Sequence, residues 1–161
     1  MSHPEIQSLL RALDQAYDHK AWHGTNLRGS IRGVTASQAA WRPTSGRHSI
    51  WELVLHSAYW KYAVRRLLRG EKRGSFALKG SNWFPASGNT GDNAWRETVA
   101  LLEGEHRALR AAIEAFPADR LMLPPPGKKW PAFDAILGVA FHDIYHAGQI
   151  QLLKRLHKKK K

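Results

Sequence analysis

Apolar residues recur at steps of three and four through most of the chain, and four stretches hold that spacing long enough to predict buried helical faces. The first carries Ile6, Leu9, Leu10, Leu13, Ala16 and Tyr17 behind a Ser2-His3-Pro4-Glu5 start, where Ser2 and Glu5 have capping-box spacing. This helix is expected to reach about Trp22, with Gly24 loosening it. The second places Leu53, His56, Trp60, Ala63 and Leu67 on one stripe, opened by the Ser49 and Glu52 capping box and stopped by Gly70. The third follows Asp92 as N-cap and repeats most regularly: Trp95, Val99, Leu102, His106, Leu109, Ile113, Phe116. The fourth opens near Pro131, where a proline lacks nothing in a first turn, and is expected to run to about Leu156. One of its faces carries Ala135, Val139, His142, His146, Gln149 and Leu153, and the other Leu137, Phe141, Ile144, Gly148 and Leu152. A helix apolar on two sides is expected to bury both, the second against another helix or a second subunit.

The segments between these helices are of two kinds. Residues 23–46 are broken by Gly24, Gly29 and Gly33 and read as a connector with short helices, one of them at Thr35 to Ala40. Residues 70–91 are rich in Gly, Ser and Asn around Trp83, Phe84 and Pro85, a long loop that serves as a crossover or as a functional lid. No tandem repeat and no sustained alternation of polar and apolar residues suggests a sheet. The expected fold is all-α, a four-helix bundle with long crossover connections, formed by one domain over residues 1–157 and followed by a basic tail at 158–161.

Composition narrows the function. A chain of 161 residues fits one domain with a real core. The apolar run Ala135 to Phe141 is far short of the roughly 18 residues of a membrane span, so no membrane partner is expected. The first residues show no basic segment followed by an apolar one, so a cytoplasmic location is the expectation. With no cysteine, any metal must be held by imidazole and oxygen. The net charge of +12 has a dense cluster at Arg65, Arg66, Arg69, Lys72 and Arg73, and it favours anionic partners by long-range attraction. A solvated basic helix end and tail explain it more simply than a nucleic-acid surface does.

The candidate chemistry lies in the histidines. His142 and His146 are four apart and share one helix face, while His56 sits within the stripe of another helix. Inside an apolar seam a histidine needs partners for its ring nitrogens, and for His56 that partner is a structural hydrogen bond or a metal. A second pair at the same spacing, His19 and His23, shows that the spacing alone is weak evidence. His106 also occupies a core position, as a fourth ligand, a partner of a ligand, or a histidine at the surface end of the seam. Three inward imidazoles on facing helices suit zinc, nickel or iron(II) better than calcium or magnesium, and leave coordination positions open.

The segments Ser49 to Trp60, with His56 in its middle, His142-Asp143-Ile144-Tyr145-His146-Ala147-Gly148-Gln149-Ile150, and Ala21-Trp22-His23-Gly24 resemble those of the DinB-like, YfiT-related family. The resemblance covers nearly the whole chain. It implies an up-down-down-up bundle, commonly a homodimer, with a divalent metal on His56, His142 and His146. It also implies either a transferase or isomerase using a low-molecular-weight thiol such as bacillithiol or mycothiol, or a metal-dependent hydrolase. Both chemistries use a divalent cation to lower the pKa of a bound thiol or water. Gln149 is then a candidate hydrogen-bond partner of a ligand ring, and Glu52 a candidate partner or general base, although its place in the capping box already explains it. The expected substrate is a small anionic or electrophilic molecule. The alternatives are a non-catalytic, metal-stabilised dimeric stress protein and a basic nucleic-acid-binding protein. Since imidazole binds metal only when neutral, metal loss is expected as pH falls below about 6.

Overall fold

The computed structural model describes residues 3–86 and 88–158, and among them it has six α-helices and no strand. Helix α1 spans Pro4–Tyr17, with His3 at the N-cap making no side-chain bond; the expected cap Ser2 lies outside the described residues. Its buried side is Ile6, Leu9, Leu10, Leu13, Ala16 and Tyr17. The helix does not continue to Trp22, which is 101% exposed. Beyond Tyr17 no side chain enters the core until Leu27, so no apolar burial rewards further helical turns. The amide of His19 instead closes on the Asp14 carbonyl at 2.9 Å, and Asn26 Nδ2 donates to the His19 carbonyl at 2.9 Å.

The connector holds two short helices, α2 (Leu27–Ser30) and α3 (Ala36–Ala40), capped by Asn26 and Thr35. Helix α4 spans Ile50–Arg69: Ser49 and Glu52 form both bonds of the capping box, and Gly70 ends it at φ 67°, where glycine carries no steric penalty. Helix α5 spans Asp92–Glu114 with Gly91, not Asp92, at the N-cap. A 3₁₀ turn at Ala118–Arg120 leads towards α6, Ala132–Lys158. Helix α6 therefore takes in Lys158, assigned to the tail by sequence; the other three tail lysines lie outside the described residues.

Each of the four long helices packs against two others: α4 on α5 and α6, and α1 on α5 and α6. Two apolar clusters fill the interior. One joins Trp51, Val54, Leu55 and Ala58 of α4 to Trp95, Leu102, Ile150 and Leu153, with Phe84 of the long loop inserted. The other joins Ile6, Leu9, Leu10, Leu13 and Ala16 of α1 to Val64, Leu109, Ile113, Ile136, Val139 and Ala140. Between them along the helices lie buried polar residues: Lys61 falls between Ala58 and Val64, His106 between Leu102 and Leu109, and Asp143 between Ala140 and Ile150.

Two predicted stripes are corrected. On α4, Trp60 is 39% exposed and the deep face is Trp51, Val54, Ala58 and Lys61, because the first half of this helix is covered on nearly every side. On α6, Leu137 and Ile144 pack against the second cluster, but Phe141, Gly148 and Leu152 of the same expected face are exposed. No helix of the described residues is long and apolar enough to cross a membrane.

Candidate metal centre

His56 of α4 and His142 and His146 of α6 point their rings into one place. Nε2 of His142 lies 3.0 Å from Nε2 of His56 and 3.0 Å from Nε2 of His146. Each of the three offers an atom within 4.8 Å of the others. A tetrahedral cation with nitrogen bonds of about 2.0–2.1 Å keeps its ligands about 3.4 Å apart, so the two contacts of His142 stand near ligand spacing and the third pair lies within 4.8 Å.

The outer nitrogens determine what faces inward. His56 Nδ1 donates to the Asn82 carbonyl at 2.8 Å, and His146 Nδ1 donates to Gln149 Oε1 at 2.7 Å. Both rings in their neutral form therefore turn a bare Nε2 lone pair towards His142. A proton on His142 Nε2 can point at only one of them, leaving the other ring's lone pair without a donor. A hydrogen-bond network among neutral rings thus does not satisfy this arrangement, whereas one cation accepts all three lone pairs. Burial holds the rings neutral: it lowers the pKa of His56 to about 4 and that of His142, helped by His146 and His56, to about 3. His146 is also lowered, again chiefly by burial.

The long loop builds one wall. Asn82 takes a left-handed φ of 65°, which asparagine tolerates, and so turns its carbonyl to His56 while its Oδ1 accepts from Trp60 Nε1 at 3.0 Å. Trp83 stacks on His56 at 3.8 Å and on His48 at 3.6 Å, an aromatic layer over the ligand ring. Sequence reasoning saw Trp83 only as a loop anchor and did not single out Asn82 or His48. The signal for Asn82 was slight: asparagine in a glycine-rich loop, beside an aromatic pair.

Other candidates go elsewhere. The Glu52 carboxylate accepts from the Ser49 amide at 2.8 Å and from Arg42 Nη2 at 2.5 Å, so it serves the cap and an ion pair, and no hydrogen bond joins it to the three rings. His106 is not at the surface end of its seam: it is 4% exposed and stacks on Tyr17 at 3.6 Å, outside the histidine cluster. Burial and the nearby Lys61 lower its pKa to about 2. His19 and His23 lie past the end of α1 and are exposed, so their shared spacing places them on no helix face.

Two cavities flank the cluster. One of about 410 Å³ reaches His142 and is walled by Trp60, Val64, Trp130 and Val139. The other, about 540 Å³, reaches His146 and Gln149 and is lined by Arg47 and His48 as well as by Tyr145 and Leu152.

The family model described as the DinB superfamily matches residues 17–150. No curated protein and no solved structure matches the chain.

Proposed function

Because the chain belongs to the DinB superfamily, we propose that it is a divalent-metal enzyme in which His56, His142 and His146 hold the cation and a small thiol or water attacks an electrophile. The observation that carries this reading is the convergence of three Nε2 atoms, two of them held as bare lone pairs by Asn82 and Gln149. Zinc or nickel suits an all-imidazole donor set, with iron(II) next. When bound, the cation lowers the pKa of the attacking thiol or water and stabilises its anion near neutral pH.

The chain's own residues supply the rest. Asn82 and Gln149 orient ligand rings, and Trp83 lies over His56 and limits access of bulk water. Arg47 gives the cavity beside His146 a cationic group for an anionic reactant, while the cavity beside His142 is lined mainly by hydrocarbon and indole, with Asp134 as its carboxylate. Two cavities of different chemistry meeting at one site favour a two-reactant transfer over simple hydrolysis. Lacking cysteine, the protein must take its thiol from a small molecule. Such thiols stay reduced in the cytoplasm, which we take as the setting.

The remaining parts of the reading concern assembly. The long helices are taken to run up, down, down, up. In support, Trp51 meets Trp95 and Arg65 meets Glu105, rising numbers with rising, while Asp14 meets Arg110 and Tyr17 meets His106, rising with falling. Lys61 likewise pairs with Asp143 and His56 with His146, rising with falling. Exposed Phe141, Tyr145 and Leu152 on α6 favour a homodimer. Nucleic acid is disfavoured because Arg65 and Arg69 of the basic cluster are paired with Glu71.

The test is a screen of thiol transfer to electrophiles, and of ester and amide hydrolysis, with metal-loaded protein and with the His56→Ala variant. Turnover that needs both metal and His56 supports the reading. Metal that raises thermal stability with no turnover on any substrate favours the non-catalytic stress protein instead.

A further inference from the structure

Hydrophobicity alone does not decide which way α6 faces. Its buried side carries Ile136, Val139, Ala140, Ala147, Ile150 and Leu153, yet Phe141, Tyr145, Leu152 and Leu156 outside are as apolar. Rotating such a helix about its axis exchanges one apolar set for another at small cost in buried area. The ligand rings, however, reach His56 in only one rotation and at one height.

We propose that the buried ion pair between Lys61 and Asp143 is the positioning device that fixes α6 against α4 in that one arrangement. The inference rests on the metal reading and deepens it. Both side chains are 0% exposed, and Lys61 Nζ donates to Asp143 Oδ2. Asp143 directly follows the ligand His142, and Lys61 stands on α4, the helix that carries His56. A rotation of α6, or a slide by one turn, keeps most apolar contacts satisfied but strands two charges in hydrocarbon. That penalty is steep, because a buried charge without its partner is far costlier than the pair.

The surroundings agree with a role in choosing an arrangement rather than adding stability. Lys61 Nζ sits 4.9 Å over the Tyr17 ring, and Tyr17 stacks on His106, so all four long helices contribute to this polar layer. Asp143 Oδ1, Tyr17 Oη and His106 Nδ1 are buried there with no hydrogen-bond partner in the described structure. A layer serving stability alone is better made of well-packed hydrocarbon than of partly satisfied polar groups.

The experiment replaces the pair by hydrocarbon of similar volume, Lys61→Met with Asp143→Val, beside wild type and a Leu109→Ala control. Three quantities are read: thermal unfolding of the metal-free protein, zinc affinity by competition with a chromophoric chelator, and the visible absorption of the cobalt(II) form. The double variant is expected to unfold at or above the wild-type temperature, to bind zinc about tenfold or more weakly, and to show altered cobalt bands. Leu109→Ala is expected to lose stability yet keep wild-type affinity and bands while folded. Wild-type affinity and bands in the double variant overturn the positioning role and leave the metal centre standing. Failure of wild type itself to bind zinc or cobalt overturns the centre and the inference together. If the double variant does not fold, Asp143→Asn decides, since it offers Lys61 an amide oxygen but no charge. Weaker zinc binding than Leu109→Ala supports the role, and equal binding overturns it.

Discussion

Asn82 holds His56 from outside the helices: its main-chain carbonyl accepts the His56 Nδ1 proton at 2.8 Å from a backbone bent to φ 65°. The bond selects the tautomer that bares Nε2, so a loop residue decides what a helix residue can ligate. Replacement at position 82 separates backbone from side chain. Asn82→Gly keeps the left-handed bend and is expected to retain metal affinity. Asn82→Val disfavours the bend by about 1–2 kcal/mol and is expected to lower both the unfolding temperature and metal affinity. Thermal melts with and without zinc check both.

Gln149 does for His146 what Asn82 does for His56, through a side-chain oxygen at 2.7 Å. Gln149→Leu removes the acceptor while filling similar volume. Metal affinity is expected to fall about 10- to 100-fold, the usual effect of deleting a hydrogen-bond partner of a ligand imidazole, with a metal-free unfolding temperature close to wild type. Chelator competition measures the first and calorimetry the second.

The pH response follows from the lowered ring pKa values. Below about 6.5 the unfolded chain takes up protons on these histidines, while the folded chain refuses them until about 4 at His56 and about 3 at His142. On these rings the unfolded state then binds more protons, so their contribution lowers metal-free stability as pH drops through 6.5, partly offset below about pH 6 by buried Asp143, whose carboxyl burial raises to about 6. Melting of the metal-free protein between pH 7.5 and 4.5 should show this decline, and His56→Gln should make it shallower, with His142 and His106 still contributing. For the same reason proton competition for the metal sets in at lower pH than an ordinary histidine implies.

What could be read from sequence alone divides along physical lines. Helix α4 was legible at both ends because the Ser49 and Glu52 box and Gly70 are local signals that need no tertiary context. The histidine triad was legible as three core-facing positions plus a family resemblance, and the matched family model covers residues 17–150. The end of α1 was misjudged because apolar Trp22 extended the pattern, although nothing in the fold covers it. Lys61 and Asp143 were invisible because a lysine and an aspartate far apart in sequence each read as solvated, and only packing shows them buried together. Asn82 and Trp83 belong to a loop whose backbone has no period, so their place beside His56 emerges only once the loop is folded over the helices.

The central claim is that His56, His142 and His146 hold one divalent cation. Elemental analysis of the purified protein beside His142→Ala, His56→Ala and His19→Ala tests it most directly. About one zinc, nickel or iron per chain is expected in wild type and in His19→Ala, and none in the other two. Wild-type metal content in His142→Ala and His56→Ala, or no bound metal in wild type after incubation with each ion, would contradict it.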